Sequence, residues 1–263
     1  MTVLLEVERL TRRYPRPRKQ VLRPEPPLVA LDQVSFALGA GRTLGVVGES
    51  GSGKTTLARL VMGFETPDAG RIRLNGKELD QKGRRGALQM VFQDPFGSLD
   101  PRRPVGWSVA QPLRALGKSD TRTETEEALS RVGLSAADGA RYPHEFSGGQ
   151  RQRIAIARAI ITRPRLLVAD EAVSALDVSV RAQILNLLMD LQDAFGMAML
   201  FISHDLAVVS SLCDDLIVLR NGKTIEHGPA QRILAEPGAD YTQTLIAAAQ
   251  VAPSAALATK ETR

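Results

Sequence analysis

The sequence of 263 residues has one cysteine, few aromatic residues and little that would bind a nucleic acid. A lone Cys213 excludes an internal disulfide, and no Cys or His lies at metal-binding spacing from it. We therefore predict that Cys213 is a small core residue in a reducing compartment. Aromatic residues make up only 4% of the chain and are not interleaved with basic ones. Because a groove for single strands needs that pattern, we expect no nucleic-acid partner.

Long apolar runs are also missing. No segment approaches the roughly 18 to 20 apolar residues that cross a bilayer. Residues 1–10 carry Glu6 and Glu8 where a signal peptide would need an apolar core. We therefore expect the protein to remain in the cytoplasm.

Charge of one sign is weakly in excess. The formal net charge is +5, and basic residues cluster between positions 12 and 19 of a proline-rich stretch. Such a cluster fits either a contact with phosphates or lipid headgroups or a solvated loop. Hydrophobic residues reach 43% and charged residues 24%, which is typical of a folded soluble domain.

Hydrophobic periodicity predicts an α/β fold. Segments 4–8 and 31–38 alternate and predict an antiparallel β subdomain, to which a hairpin arm at 71–76 adds. Segments 42–47, 87–92, 165–169, 197–202 and 215–219 predict buried strands, and 54–62 and 178–195 predict helices, as in a mainly parallel sheet covered by helices.

A change of period marks an insertion. Between about 95 and 161 the pattern becomes helical, with helices expected at 105–116, 121–132 and 148–161. We therefore predict one domain over residues 1–246 with an inserted α-helical subdomain. The alanine-rich residues 247–263 predict a frayed or disordered tail.

A glycine-rich loop follows the strand at 42–47. Residues 48–55 read Gly-Glu-Ser-Gly-Ser-Gly-Lys-Thr, which matches the phosphate-loop pattern and predicts that the parallel sheet is a P-loop NTPase core. Its backbone N–H groups would face the phosphates of ATP, Lys54 would supply a cation and the Thr55 hydroxyl would ligate Mg²⁺. The alternative is a simple glycine-rich turn. The candidate nucleotide-binding residues are Gly48, Ser50, Gly51, Ser52, Gly53, Lys54, Thr55 and Thr56.

Further polar residues follow other predicted strands. Asp170 is expected to hold Mg²⁺ and Glu171 to polarise the attacking water, although the pair could instead cap a helix. His204 could orient that water through the γ-phosphate or be structural. Gln93 could reach Mg²⁺ or the water. The predicted catalytic set consists of Glu171, His204, Gln93 and Lys54, and the predicted metal set consists of Thr55, Gln93 and Asp170.

The segment between the loop and the carboxylates narrows the class. Residues 146–153 read Phe-Ser-Gly-Gly-Gln-Arg-Gln-Arg. With the motifs in this order, the chain resembles the ATP-binding subunit of an ABC transporter. The resemblance implies a signature segment that binds the γ-phosphate of an ATP held on a second cassette, and small residues at a helix start suit an anion. The signature segment consists of Ser147, Gly148, Gly149 and Gln150.

The same resemblance assigns two more positions. Residues 174–177, which end in Asp177, match the loop that links the two sites, and Tyr14 is the candidate for stacking on adenine. Two residues depart from the family pattern: Phe146 stands where leucine is common, and Ala172 stands where proline usually follows the glutamate. Neither departure removes a catalytic group.

The amino-acid sequence after Gln93 indicates a branch of the family. Residues 93–102, and Tyr241 with Thr242, are similar to importers of oligopeptides, dipeptides and nickel, and residues 171–174 resemble the nickel variant. The resemblance implies a peripheral ATPase on the cytoplasmic face of the inner membrane, using ATP and Mg²⁺. Its expected partners are a second cassette, identical or paralogous, two permeases and, indirectly, an extracytoplasmic binding protein.

Other functions were weighed against this one. A soluble ABC ATPase acting on nucleic acid or ribosomes usually has two cassettes or a long coiled coil. An exporter ATPase is disfavoured because the amino-acid sequence after Gln93 is similar to that of importers. A kinase with a phosphate loop would leave residues 147–150 unexplained. The cargo stays open.

Overall fold

The computed structural model of the chain describes residues 2–16, 26–78, 84 and 86–250. Most of the basic, proline-rich stretch and the tail residues 251–263 therefore lie outside the described residues. The strands are β1 (Val3–Tyr14), β2 (Leu28–Gly39), β3 (Thr43–Val47), β4 (Ala69–Leu74), β5 (Lys77–Glu78), β6 (Leu88–Val91), β7 (Leu166–Asp170), β8 (Ala198–Ile202), β9 (Asp215–Arg220) and β10 (Lys223–Pro229).

Helices connect these strands. The α-helices are Lys54–Met62, Pro95–Ser98, Val105–Ala115, Arg122–Arg131, Gly148–Ile160, Val178–Phe195, Leu206–Leu212, Ala230–Ala235 and Asp240–Gln250. Two 3₁₀ turns, Ala136–Ala140 and Pro143–Glu145, lead to the helix Gly148–Ile160. In the described part of the chain, no helix is long and apolar enough to cross a membrane.

Two sheets form the framework. The first has the order β2-β1-β4-β5 with antiparallel pairing, as predicted for the N-terminal region. The second has the order β10-β9-β3-β8-β7-β6 and is parallel except where β10 pairs with β9. The predicted α/β class with a mainly parallel sheet is confirmed.

The parallel sheet is buried on both faces, because every residue of β3, β7 and β8 is buried. Side chains alternate between two cores. In β8, Met199 and Phe201 belong to the core beneath the helical insertion, whereas Leu200 and Ile202 face the antiparallel sheet. This rigid centre brings the carboxyl ends of β3, β7 and β8 to one edge.

Cys213 is buried beneath β3, as predicted. A Cβ built on Gly45 would lie 2.9 Å from its Sγ atom. Burial, together with the nearby Asp214 carboxylate, raises the pKa of the thiol far above its usual range. The contact explains why the strand carries a glycine at position 45 and confirms Cys213 as a core residue.

Several elements at the end of the chain were not predicted: the helices Leu206–Leu212 and Ala230–Ala235, strand β10 and the helix Asp240–Gln250. The segment expected to be a tail from residue 247 begins inside this last helix, which continues to Gln250. The helix start was missed because its first turn follows a Pro-Gly pair that reads as a loop.

Candidate active site

The glycine-rich loop occupies the position between β3 and the helix Lys54–Met62. Gly48 has φ = +151° and Gly53 has φ = +109°. A Cβ on Gly48 would lie 2.1 Å from the Leu219 carbonyl oxygen, and a Cβ on Gly53 would lie 2.5 Å from that of Ala30. Both glycines are therefore needed for the loop to pass so close to its neighbours.

Lys54 reaches back into this loop. Its Nζ atom donates hydrogen bonds of 2.8 Å to the carbonyl oxygens of Gly48 and Glu49. Burial lowers the pKa of the ammonium, while the carboxylates of Glu171 and Asp170 oppose that shift. A buried cation thus lies within the electrostatic reach of both predicted carboxylates.

Asp170 ends β7 at the same edge. It is 9% exposed, and its Oδ1 atom is buried without a hydrogen-bond partner among the described residues. Burial raises the pKa of this carboxyl, as does the charge of Glu171, whereas a hydrogen bond from Thr55 and the charge of Lys54 oppose the rise. An orphaned carboxylate oxygen beside a threonine hydroxyl is a hard oxygen donor set, which fits Mg²⁺.

Glu171 and His204 meet at the ends of adjacent strands. The Oε1 atom of Glu171 lies 3.3 Å from Nδ1 of His204. Glu171 adopts φ = +49°, a left-handed conformation that is uncommon for a residue with a side chain, and its N–H donates to the Ile202 carbonyl at 2.9 Å. The backbone of β8 thereby holds the backbone of Glu171 in a conformation that a free chain would rarely adopt. We call Lys54, Asp170, Glu171 and His204, which belong to the predicted catalytic and metal sets, the catalytic edge.

Gln93 is linked to this edge through a serine. Its Nε2 atom donates to Oγ of Ser174 at 3.3 Å, and that hydroxyl donates to the carbonyl oxygen of Glu171 at 3.0 Å. Gln93 is exposed at the end of β6, where the helical insertion begins. A displacement of the end of β6 can therefore be transmitted to Glu171 through Ser174.

The signature segment caps its own helix. The Ser147 hydroxyl accepts from the Gln150 N–H at 3.3 Å, and the Gln150 side chain accepts from the Ser147 N–H at 3.0 Å. This is a capping box at the start of the helix Gly148–Ile160. Ser147 and Gln150 are exposed, and within the described residues their side-chain hydrogen bonds stay inside the segment. The structure does not join the segment to the catalytic edge.

The helix that follows the loop ending in Asp177 packs against the signature segment. A Cβ on Gly149 would lie 2.5 Å from Cγ1 of Val180, in the first turn of the helix Val178–Phe195. Asp177 itself is exposed at the start of that helix. The signature segment and the first turn of this helix are therefore in close contact.

An ion pair that the sequence did not reveal links this loop to the histidine. Arg181 donates to Asp205 at 2.6 Å and to the Leu176 carbonyl at 3.3 Å. Asp205 follows His204 directly and caps the helix Leu206–Leu212. The partners are 24 positions apart, so no local pattern predicts the pair.

Tyr14 is the last residue of β1. It pairs with Leu28 in the β1–β2 register, two residues before the Ala30 carbonyl that contacts Gly53. Its hydroxyl donates to the Glu65 carboxylate, and the Arg12 guanidinium carbon lies 4.9 Å from the ring centroid. Its stacking on adenine stays a prediction.

The chain belongs to the ABC transporter family, whose model matches residues 31–174. The Peptidoglycan transport ATP-binding protein YejF of Agrobacterium fabrum is 52% identical to it over 230 residues, which cover 84% of this chain and 42% of YejF. The Dipeptide transport ATP-binding protein DppF of Escherichia coli is 47% identical over 254 residues, which cover 93% of this chain and 76% of DppF. The chain thus spans less than half the length of YejF.

Solved structures agree with the fold. CbiO1 from Clostridium perfringens, described as part of the ABC transporter complex cbiONQ, superposes with a TM-score of 0.76 at 27% identity, covering 90% of this chain and 92% of CbiO1. The dimeric ATP-binding cassette MJ0796, bound to ADP and Pi, gives a TM-score of 0.74 at 25% identity, covering 86% and 99%. The predicted family is therefore confirmed.

Proposed function

We propose that this chain is the ATP-hydrolysing subunit of an ABC importer that takes up peptides. The observation that carries the proposal is the contact between Glu171 and His204, next to the buried Lys54 and Asp170. Catalysis of phosphoryl transfer needs little more than positioning, charge stabilisation and a group that handles the proton of water. The catalytic edge supplies all of these.

Each residue has a distinct part in this chemistry. The loop amides and Lys54 hold the β- and γ-phosphates, and Asp170 with Thr55 and Gln93 would hold Mg²⁺. A bound Mg²⁺ neutralises phosphate charge. Glu171 accepts a proton as water attacks the γ-phosphorus and ADP leaves. His204, oriented by Glu171 through Nδ1, keeps its other ring nitrogen for the γ-phosphate.

A second cassette completes the site. Ser147, exposed at a helix start, offers its hydroxyl and neighbouring N–H groups to the γ-phosphate of an ATP on the partner. Asp177 lies on the same surface, beside the partner's nucleotide, and Tyr14 stacks on adenine. The partner is an identical or paralogous cassette.

The permeases dock beside Gln93. Phe64 and Phe92 are 57% and 39% exposed and stack with their centroids 6.4 Å apart. They line a groove of about 390 Å³ that also includes Met62 and Met90. The exposed rings of Phe64 and Phe92, lying beside the half-buried Met62 and the buried Met90, favour an apolar helix as the occupant. Because Gln93 follows Phe92, the groove can pass movement to Glu171 through Ser174.

This arrangement implies a peripheral protein on the cytoplasmic face of the inner membrane, with cargo delivered by an extracytoplasmic binding protein. The ATPase domain would cover residues 1–246, with the helical subdomain at about 95–161. YejF and DppF are named for peptidoglycan and dipeptide transport, which favours peptides over nickel as cargo. It also disfavours an action on nucleic acid or ribosomes.

The decisive test is Glu171→Gln. Without the carboxylate that accepts a proton, hydrolysis should fall by a factor of about 10² to 10⁴, while the affinity for ATP is retained. Glu236→Gln, at an exposed carboxylate far along the chain, is the matched control and should hydrolyse ATP normally. Full turnover by Glu171→Gln would refute the assignment.

The transport role needs a second experiment. Tagged Glu171→Gln protein, trapped with Mg-ATP, should co-purify with multispanning permeases and a second cassette from detergent-solubilised membranes. Mass spectrometry identifies these partners. Recovery of ribosomal or DNA-repair proteins instead would overturn the importer while leaving the ATPase chemistry intact.

A further inference from the structure

The last helix reaches the phosphate-binding loop through one side chain. Tyr241 is 7% exposed, and its hydroxyl oxygen accepts a hydrogen bond of 3.2 Å from the backbone N–H of Glu49. Glu49 is the second residue of the loop, and 192 positions separate the two partners. The role proposed for the chain does not yet use Tyr241.

The tyrosine ring is held firmly in place. The guanidinium carbon of Arg220 lies 4.5 Å from its centroid, in cation–π contact. Arg220 directly follows Leu219, whose carbonyl oxygen closely approaches Gly48. The same end of β9 therefore supports both the loop and the ring that binds it.

The start of the last helix is anchored independently. Glu226, on β10, accepts hydrogen bonds from the N–H groups of Gly238 at 2.9 Å and Ala239 at 3.2 Å. Thr242, next to the tyrosine, is 1% exposed. Strand β10 thus fixes the position of the last helix, and with it the position of the Tyr241 hydroxyl relative to the loop.

On the opposite side, the loop has a different support. The N–H of Gly222 donates to the Ser52 carbonyl at 2.9 Å, and Lys54 binds the carbonyl oxygens of Gly48 and Glu49. These contacts hold carbonyl groups, whereas Tyr241 holds an amide. Fixing the Glu49 amide orients the peptide planes that follow it, so fewer conformations are lost when phosphate binds.

We propose that Tyr241 is a positioning residue for ATP: its hydroxyl fixes the entry of the phosphate-binding loop and makes nucleotide affinity depend on the seating of the helix Asp240–Gln250. This inference rests on the proposed binding of ATP by the loop. Since Tyr241 touches neither Glu171 nor His204, it acts on binding and not on the chemical step.

The test is Tyr241→Phe in the full chain, which removes the hydroxyl and keeps the ring beneath Arg220. A net hydrogen bond contributes about 0.5 to 1.5 kcal/mol, so the dissociation constant for ATP should rise roughly 2- to 10-fold. KM should rise in parallel while kcat is unchanged. In nucleotide-free protein, hydrogen exchange should accelerate in the peptide that carries the Glu49 amide.

Thr244→Ala is the matched control, because it removes another hydroxyl from the same helix. It should alter neither affinity nor exchange in the loop. Faster exchange along the whole helix in Tyr241→Phe would reveal a merely structural role and overturn the inference. Unchanged exchange at Glu49, or unchanged affinity, would overturn it as well. Failure of the wild-type chain to bind ATP would instead refute the proposed function itself.

Discussion

The catalytic edge and the signature segment both face phosphate in the proposed function, yet they are built in opposite ways. The edge gathers charges at the ends of buried strands, where Asp170 is 9% exposed and one of its oxygens has no hydrogen-bond partner among the described residues. The signature segment is exposed and satisfies its own polar groups through the Ser147 capping box. The first region stores unfavourable electrostatics that a ligand relieves, whereas the second is a stable surface ready for a partner.

The largest effect should come from Asp170→Asn. Loss of the metal carboxylate should reduce Mg²⁺-dependent hydrolysis on the order of 10²- to 10⁴-fold, because the ion supplies several kcal/mol of charge stabilisation. The same change should stabilise the nucleotide-free protein, since it removes a buried charge. Steady-state ATPase assays and thermal unfolding measure the two effects.

The stability gain should depend on pH. Burial raises the pKa of Asp170 in the folded state, so ionisation costs stability as pH rises through that folded pKa. The difference between Asp170→Asn and wild type should therefore widen at neutral pH and shrink in acid. Asp190→Asn, at an exposed carboxylate, should show no such trend. If the difference in stability between Asp170→Asn and wild type were the same at all pH values, the buried charge of Asp170 would not destabilise the folded protein.

Ser147→Arg tests the opposite side of the comparison. The bulky side chain should block the partner's γ-phosphate and reduce turnover in the assembled transporter about 10²- to 10³-fold, as loss of an anion-stabilising donor does. Binding of ATP to the variant's own loop should be unchanged in a fluorescence titration. Ser135→Arg removes a similar capping box at the turn Ala136–Ala140 and should retain turnover. Equal losses of turnover in Ser147→Arg and Ser135→Arg would mean that Ser147 acts only as a helix cap.

A smaller effect separates two adjacent glycines. Gly149→Ala places a Cβ 2.5 Å from Val180 and should cost about 1 to 3 kcal/mol of unfolding free energy. Gly148→Ala meets nothing within 4 Å and should be neutral, or stabilise the helix by up to about 1 kcal/mol. Urea denaturation measures both. Indistinguishable stabilities would mean that Gly149 and Val180 do not pack as closely as they do in the structure.

Local signals predicted much of the fold. The helices Lys54–Met62 and Val178–Phe195 have the predicted bounds, because Gly63 and Gly196 terminate them in left-handed conformations. Strand β10 escaped notice because it alternates weakly and contains Gly228 and Pro229, as an edge strand can.

The candidate site divides in the same manner. The glycine-rich loop is one run of adjacent residues, and so is the pair of carboxylates at the end of β7, so that a local pattern predicts each of them. The spacing of Ser147 and Gln150 is a recognisable capping pattern. The pairing of Tyr241 with Glu49 and that of Arg181 with Asp205 depend on where distant elements pack. No periodicity encodes such contacts.

The burial of Cys213 makes the natural chain suitable for site-directed labelling. Its thiol lies beneath Gly45 and resists ionisation, so maleimide reagents should react with it slowly. An engineered cysteine in place of the exposed Glu236 would then carry a spin label or fluorophore while Cys213 stays in place. Distances between two such probes would follow the approach and separation of paired cassettes during turnover.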